Sequence, residues 1–417
     1  MALTSTEQLA LLYRLSQTFN SSLNLDEVLN DVMDEVIAAV HAERGFLMLR
    51  QPNGPLAFSV ARGMDHRVID SPQFQISRSV VDWVAVEGKP RLTSDAQRDA
   101  WLAGRVSVAG LGLRSILCVP LQLRSITQGV IYVDNRLQAG IFTEADLDLL
   151  SAIASTAAIA IENARLYQVA VEKGRMEREL QVARDVQASL IPRETPRLQG
   201  WEFATLWQPA HLVGGDFYDF LPLSNGGYGI AVGDVSDKGT GAALLMAVTR
   251  SILRASVDIT SNAADCIRHA NRLLCADATR GMFVTLFYAE LDPAHHELTY
   301  VNAGHNPPLH YAAATGEVKR LARTGLPLGI DDAAIYRQVT VEIAPGDLIV
   351  FYTDGIPEAM DAQERSWGME SLEALTSVQG HAPAEDFVTA LADALRRFAS
   401  EAPQSDDMTV VVARRTS

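Results

Sequence analysis

Residues 213–239 constrain this chain more than any other stretch. They open with Gly214-Gly215-Asp216-Phe217-Tyr218-Asp219 and, after an alternating apolar segment, reach Gly233-Asp234-Val235-Ser236-Asp237-Lys238-Gly239. Two short segments thus place carboxylates beside glycine. Glycine lets a backbone turn tightly and approach a bound ion, and aspartate oxygens are the hard ligands that Mg²⁺ and Mn²⁺ prefer to sulfur or imidazole. Two further turns of this kind follow, Asp354 in Tyr352-Thr353-Asp354-Gly355 and Asp406-Asp407 before the last strand-like run. Any one of these aspartates read alone is an ordinary turn residue. Carboxylates gathered at the ends of separate strands would repel one another unless cations lay among them. The pattern therefore points to a two-metal centre, in which a water ionisable near neutral pH serves phosphoester hydrolysis.

Composition narrows the setting. A chain of 417 residues, at roughly 100–200 residues per domain, makes two or three units. The hydrophobic share of 48% is that of a globular protein. A net charge of −16 argues against a nucleic-acid partner, which needs a clustered positive surface. The N-terminal residues lack a basic segment followed by an apolar core, so no secretory signal is read. The longest weakly polar run, 153–161, is far short of the roughly 20 residues that span a bilayer. No membrane partner and a cytoplasmic location are expected. Cys118, Cys266 and Cys275 are odd in number and lie outside any Cys-x-x-Cys pattern, which predicts buried thiols in a reducing compartment.

Helical periodicity over 7–19 and 25–40 predicts two amphipathic helices, the second capped by Asn24. Strands at 45–50 and 57–61 flank Gln51-Pro52-Asn53-Gly54-Pro55, a hairpin connection. A helix over 79–86 and strands over 115–123 and 130–133 come next. Thr143 and Asp146 then form a capping box that opens a long helix. This order, with Ser115-Ile116-Leu117-Cys118-Val119-Pro120-Leu121 and Phe142-Thr143-x-x-Asp146-Leu147, resembles a GAF domain over residues 25–163. The resemblance implies a six-stranded antiparallel sheet, helices on one face, a small-molecule pocket on the other, and dimerisation. Its ligand is unknown: Arg136 and Leu147 depart from the Lys and Glu of cyclic-nucleotide-binding members. Cys118 reads as a core residue and His41 as a surface residue rather than as redox or haem ligands.

From Leu166 the positions Val169, Lys173, Met176, Leu180, Ala183, Gln187 and Leu190 keep a heptad register, a coiled-coil seam over a connector at 164–194. Lys173 and Gln187 make the seam imperfect, and Gly174 costs about 1 kcal/mol of helix propensity. Ile191-Pro192 ends the helix. A helix packed on its own domain is the competing reading.

Within a last domain expected at 195–417, residues 200–417 alternate strands, at 203–208, 228–232, 283–291, 298–301, 338–343, 347–352 and 408–413, with helices at 241–255, 263–277 and 383–398. Two antiparallel sheets between helices are expected. The two turns of the opening stretch, Ala303-Gly304-His305-Asn306, Gly325-Leu326-Pro327-Leu328-Gly329, Tyr352-Thr353-Asp354-Gly355 and Asp406-Asp407-Met408-Thr409 occur in the order of the SpoIIE/RsbU-type serine phosphatases, members of the metal-dependent PPM (type 2C) family. The fold class implied is α+β: a GAF-like antiparallel sheet with helices, a coiled-coil-like connector and a PPM-type αββα sandwich, preceded by an N-terminal helix at 1–24.

The resemblance makes Asp216, Asp234, Asp354 and Asp406 the catalytic, metal-binding carboxylates and the Val235 carbonyl a further ligand, for two Mn²⁺ or Mg²⁺ ions. Asp219 and Asp407 are left to supporting or water-mediated roles. Lys238 stands where many members carry histidine, and is read as solvated in preference to contacting phosphate. His305 is open between ordering its loop and donating a proton. No Cys-x₅-Arg motif supports a cysteinyl-phosphate route. The expected protein is a GAF-regulated serine/threonine phosphatase. Its implied substrate is a phosphorylated STAS-domain anti-anti-sigma factor in bacterial partner switching. It is expected to be a homodimer through the GAF-like module and connector. The rival is a non-catalytic phosphoprotein-binding scaffold.

Overall fold

The structure, a computed structural model, describes residues 5–51, 54–71, 76–99, 101–102, 111–277 and 281–416. The chain divides into two compact units, one ending at Met176 and one beginning at Glu177.

The first unit holds α1 (Ser5–Phe19), α2 (Leu25–Val40), β1 (Arg44–Arg50), β2 (Leu56–Gly63), α3 (Arg78–Glu87), β3 (Arg91–Thr93), β4 (Ser115–Leu123), β5 (Ile126–Asn135) and the start of α4 (Glu144–Leu190). The strands form one antiparallel sheet in the order β2-β1-β5-β4-β3, five strands among the described residues where the resemblance implied six. Side-chain alternation splits its core. Leu47, Leu117 and Val119 pack with Val32, Val36, Ile153 and Ala157 of α2 and α4, while Phe46, Ile116 and Cys118 face α3 through Val80 and Val84. Helix α2 fits this role because Val28, Leu29, Val32, Met33, Val36, Ile37 and Val40 bury one stripe.

The local signals behave as their chemistry requires. Asn24 Oδ1 accepts from the Asp26 amide at 2.9 Å. At the start of α4, Thr143 N–H donates to Asp146 at 2.8 Å and Asp146 N–H to Thr143 Oγ1 at 3.4 Å. β1 and β2 pair as a hairpin, although Pro52 and Asn53 of its connection lie outside the described residues, as does Met1-Ala2-Leu3-Thr4 of the N-terminal reading. His41 is an exposed left-handed cap (φ 53°), and Cys118 and Cys266 are buried whereas Cys275 is only half-buried.

Helix α4 is continuous through 47 residues, so the closing helix of the first unit and the connector are one element, ending before Ile191-Pro192. Of its seam, Leu166, Val169 and Met176 are 56, 57 and 65% exposed, and Tyr167, Val171, Val182 and Val186 form a second exposed apolar set off the seam. Among the described residues no helix is long and apolar enough to cross a membrane.

The second unit continues with β6 (Trp201–Gln208), β7 (Phe217–Pro222), β8 (Tyr228–Val235), α5 (Thr240–Ile259), α6 (Ala263–Asp277), β9 (Val284–Asp292) and β10 (Glu297–Ala303). It closes with β11 (Leu309–Ala312), β12 (Glu317–Arg320), β13 (Val339–Glu342), β14 (Leu348–Tyr352), α7 (Met369–Gln379), α8 (Ala384–Ala399) and β15 (Met408–Arg415). Two antiparallel sheets result, β13-β10-β9-β8-β7 and β12-β11-β14-β15-β6. Helices α5 and α6 cover the first sheet, α7 and α8 the second. Strand β14 shows why they stack. Ile349 and Phe351 point to the other sheet, with Phe351 5.5 Å from Phe287 between ring centres, and Leu348, Val350 and Tyr352 point to Phe387 and Leu391 of α8. Strand β7 escapes a periodicity search because Phe217 through Leu221 are all buried, so its sequence does not alternate. Strands β3, β11 and β12 are too short to carry a period.

Candidate active site

Asp216 immediately precedes β7, Asp234 ends β8 with Val235, Asp354 follows β14, and Asp406 precedes β15. Antiparallel pairing of β7 with β8 and of β14 with β15 brings these ends together, two from each sheet. Asp216 is 2% exposed, and its Oδ2 accepts from Thr353 Oγ1 at 2.6 Å and Thr409 Oγ1 at 2.8 Å. The two threonines stitch the first sheet to the second at the site. Asp407 accepts from the amides of Ala210 and Gly215 at 2.8 Å each and of Asp216 at 3.4 Å, which fixes the loop entering β7. A Cβ at Gly214 would collide with the Asp407 carboxylate, and one at Gly355 with the Asp407 carbonyl. Glycine is needed there for close approach. Gly215 likewise backs onto the Val235 carbonyl, 2.9 Å from where its Cβ would stand.

The electrostatics follow. Burial, with the Asp234 charge next, holds the Asp216 carboxyl well above its ordinary value against the pull of the two threonine hydroxyls. Burial and the Asp354 carboxylate push Asp234 up to about 7. Burial, then Glu358 and Asp406, push Asp354 up to about 6. Such a cluster gains by taking up cations. Its donors are carboxylates and one carbonyl without sulfur or imidazole, a set that fits hard divalent ions. As the side chains stand, no group of three or more His, Cys, Asp or Glu among the described residues is closed around a metal position.

The residues left undivided by sequence now separate. Asp219 faces away from the cluster, where Arg254 Nε and Nη2 donate to it at 2.6 and 2.7 Å and Arg250 lies at 3.0 Å. Asp407 orders backbone. Lys238 is exposed, as the solvated reading has it (53% of the side chain), and it also has a partner: Nζ lies 2.9 Å from Asp406 Oδ2 and donates to the Ser405 carbonyl at 3.0 Å. His305 is 1% exposed, with Nε2 3.1 Å from the Tyr352 carbonyl and Nδ1 2.8 Å from Thr285 Oγ1. Since a carbonyl only accepts, Nε2 carries the proton and Nδ1 accepts from the threonine. Burial lowers its pKa to about 4, so this neutral ring orders the segment ahead of Asp354.

Gln187 departs from the sequence reading. It is 4% exposed, and rather than weakening a seam its amide donates to the Gly214 carbonyl at 2.6 Å and accepts from the Gly214 amide at 3.1 Å. The end of α4 thus holds the loop that carries Asp216. Sequence reasoning missed Thr353, Thr409, Arg250, Arg254 and this role of Gln187. The threonines lay inside quoted motifs, and the arginines stand four apart on α5, opposite a buried acid.

Residues 22–162 match the GAF domain family and residues 224–416 the stage II sporulation protein E (SpoIIE) family. The chain carries a GAF domain followed by a SpoIIE-type domain of the PPM phosphatases. Among curated proteins it is similar to Protein IcfG of Synechocystis sp., 32% identical over 227 residues, 48% of this chain and 36% of that protein. It is also similar to phosphoserine phosphatase RsbU of Bacillus subtilis, 27% identical over 239 residues, 57% of this chain and 70% of RsbU. The chain thus spans only about a third of Protein IcfG. The SiaA-PP2C domain of Pseudomonas aeruginosa superposes with a TM-score of 0.54 at 21% identity, over 60% of this chain and all of that domain, a likeness of fold.

Proposed function

We propose that this chain is a divalent-metal-dependent protein serine/threonine phosphatase governed by its GAF domain, with domains at 25–163 and 195–417 joined by the connector. One observation carries the reading: carboxylates from four segments, Asp216, Asp234, Asp354 and Asp406, meet at adjoining strand ends where burial and repulsion raise the pKa of three of them. These four and the Val235 carbonyl would hold two Mn²⁺ or Mg²⁺ ions, which supply Lewis acidity and a water ionisable near neutral pH. The protein's own part is positioning. Thr353 and Thr409 aim Asp216, Asp407 holds the loop behind it, and neutral His305 braces the backbone leading to Asp354. Regulation has a physical route, because a shift of α4 reaches the Asp216 loop through Gln187.

The substrate we assign is a phosphoserine or phosphothreonine on a STAS-domain protein that controls a sigma factor. RsbU, a relative described as a phosphoserine phosphatase, supports the phosphoserine part. The test is phosphate release from a phosphorylated STAS-domain protein by the full chain, with Mn²⁺ or with EDTA, beside Asp354→Asn. Release should require Mn²⁺ and vanish in the variant while its far-UV circular dichroism stays native. Turnover retained by Asp354→Asn would sink the site, and no release by the native chain under any metal would favour the scaffold.

A further inference from the structure

Lys238 has the geometry of an occupant. Its ammonium pairs with Asp406 at 2.9 Å and is held from a second side by the Ser405 carbonyl at 3.0 Å. The backbone beneath it is bent to that purpose. Asp237 adopts φ 79°, in the left-handed region that a non-glycine residue seldom enters, and Gly239 follows at φ 84°. Asp237 Oδ1 accepts the Lys238 amide at 2.9 Å, which locks the turn. A pinned backbone thus presents a flexible cation to a carboxylate that the proposed metal centre requires.

We propose that Lys238 is a built-in competitor for the metal: its ammonium neutralises Asp406 in the metal-free chain and must leave before a divalent ion takes that carboxylate. The inference rests on the metal-centre reading above. A half-exposed lysine suits the task. It offsets part of the carboxylate charge, and because it stays half-exposed when paired it gives up little hydration there and regains it on swinging out. The outcome is a site whose affinity is held below what its carboxylates alone would give, so that occupancy responds to changes in free metal.

The test is isothermal titration of Mn²⁺ into the metal-stripped full chain, native, Lys238→Met and Lys238→Arg, at one fixed pH. Lys238→Met should bind Mn²⁺ about 5-fold tighter, the scale of a partly exposed ion pair, and Lys238→Arg should stay near native. Thermal unfolding supplies an independent reading. Without metal Lys238→Met should melt below the native chain, and its Mn²⁺-induced rise should be the larger. Native binding with no tightening in Lys238→Met, or equal tightening in Lys238→Arg, overturns the proposal and spares the metal centre. Failure of native and variant chains alike to bind Mn²⁺ overturns both.

Discussion

Asp234 and Asp354 concentrate the charge problem of this molecule, since burial and neighbouring carboxylates lift them to about 7 and about 6. Both lie above the ordinary carboxylate value, so the folded state holds their protons more tightly than the unfolded chain does. The stability they contribute is complete below about pH 4 and is lost as pH rises through about 6 to 7. A divalent ion needs these groups ionised and reverses the trend. In EDTA the melting temperature should therefore fall between about pH 5 and about pH 8 through these groups, and the rise produced by Mn²⁺ should grow over the same interval. A Mn²⁺ effect that shrinks with rising pH would contradict the assignment. Thr353 and Thr409 serve the same cluster as hydroxyl donors, and Asp407, whose charge adds to it, holds the backbone behind Asp216.

Between elements, the decisive tie is Asp219 on β7 with Arg250 and Arg254 on α5. Asp219 is fully buried and Arg250 is 12% exposed, so the pair locks the strand beside Asp216 to the helix that starts just after Lys238. Removing one partner leaves the other charge stranded. Asp219→Ala should lower unfolding stability by about 3 kcal/mol in urea titrations, while Mn²⁺ affinity of the remaining folded protein stays close to native. Loss of metal binding at unchanged stability would instead tie Asp219 to the metal centre. Helix α4 makes the complementary link: Gln187 grips both backbone groups of Gly214.

For the molecule as a whole, the exposed apolar side chains of α4 are the open account of the single chain. Leu166, Val169 and Met176 are each more than half exposed along one heptad register, and pairing with a second copy would cover them. Light scattering at micromolar concentration should give twice the chain mass, and a Val169→Glu, Met176→Glu variant should give the monomer with both folded units retained. A native monomer would count against the dimer and turn attention to the second stripe, Tyr167, Val171, Val182 and Val186.

Sequence by itself determined what is local or periodic. It shows α2 and its Asn24 cap, the Thr143–Asp146 box, the end of α4 before Pro192, and the aspartate–glycine turns, because each depends on a few neighbouring residues or one repeat. Tertiary structure alone decided which polar groups meet across long separations. Asp407 reaches back 192 residues to the Gly215 amide, Thr409 meets Asp216 across 193, and Gln187 leaves the heptad seam for Gly214. It also separated Asp219 from Asp216 three residues before it: Asp219, within β7, meets Arg250 and Arg254, whereas Asp216, ahead of the strand, meets Thr353 and Thr409. A carboxylate looks the same in sequence whether a cation, an arginine or an amide awaits it, and only packing settles which.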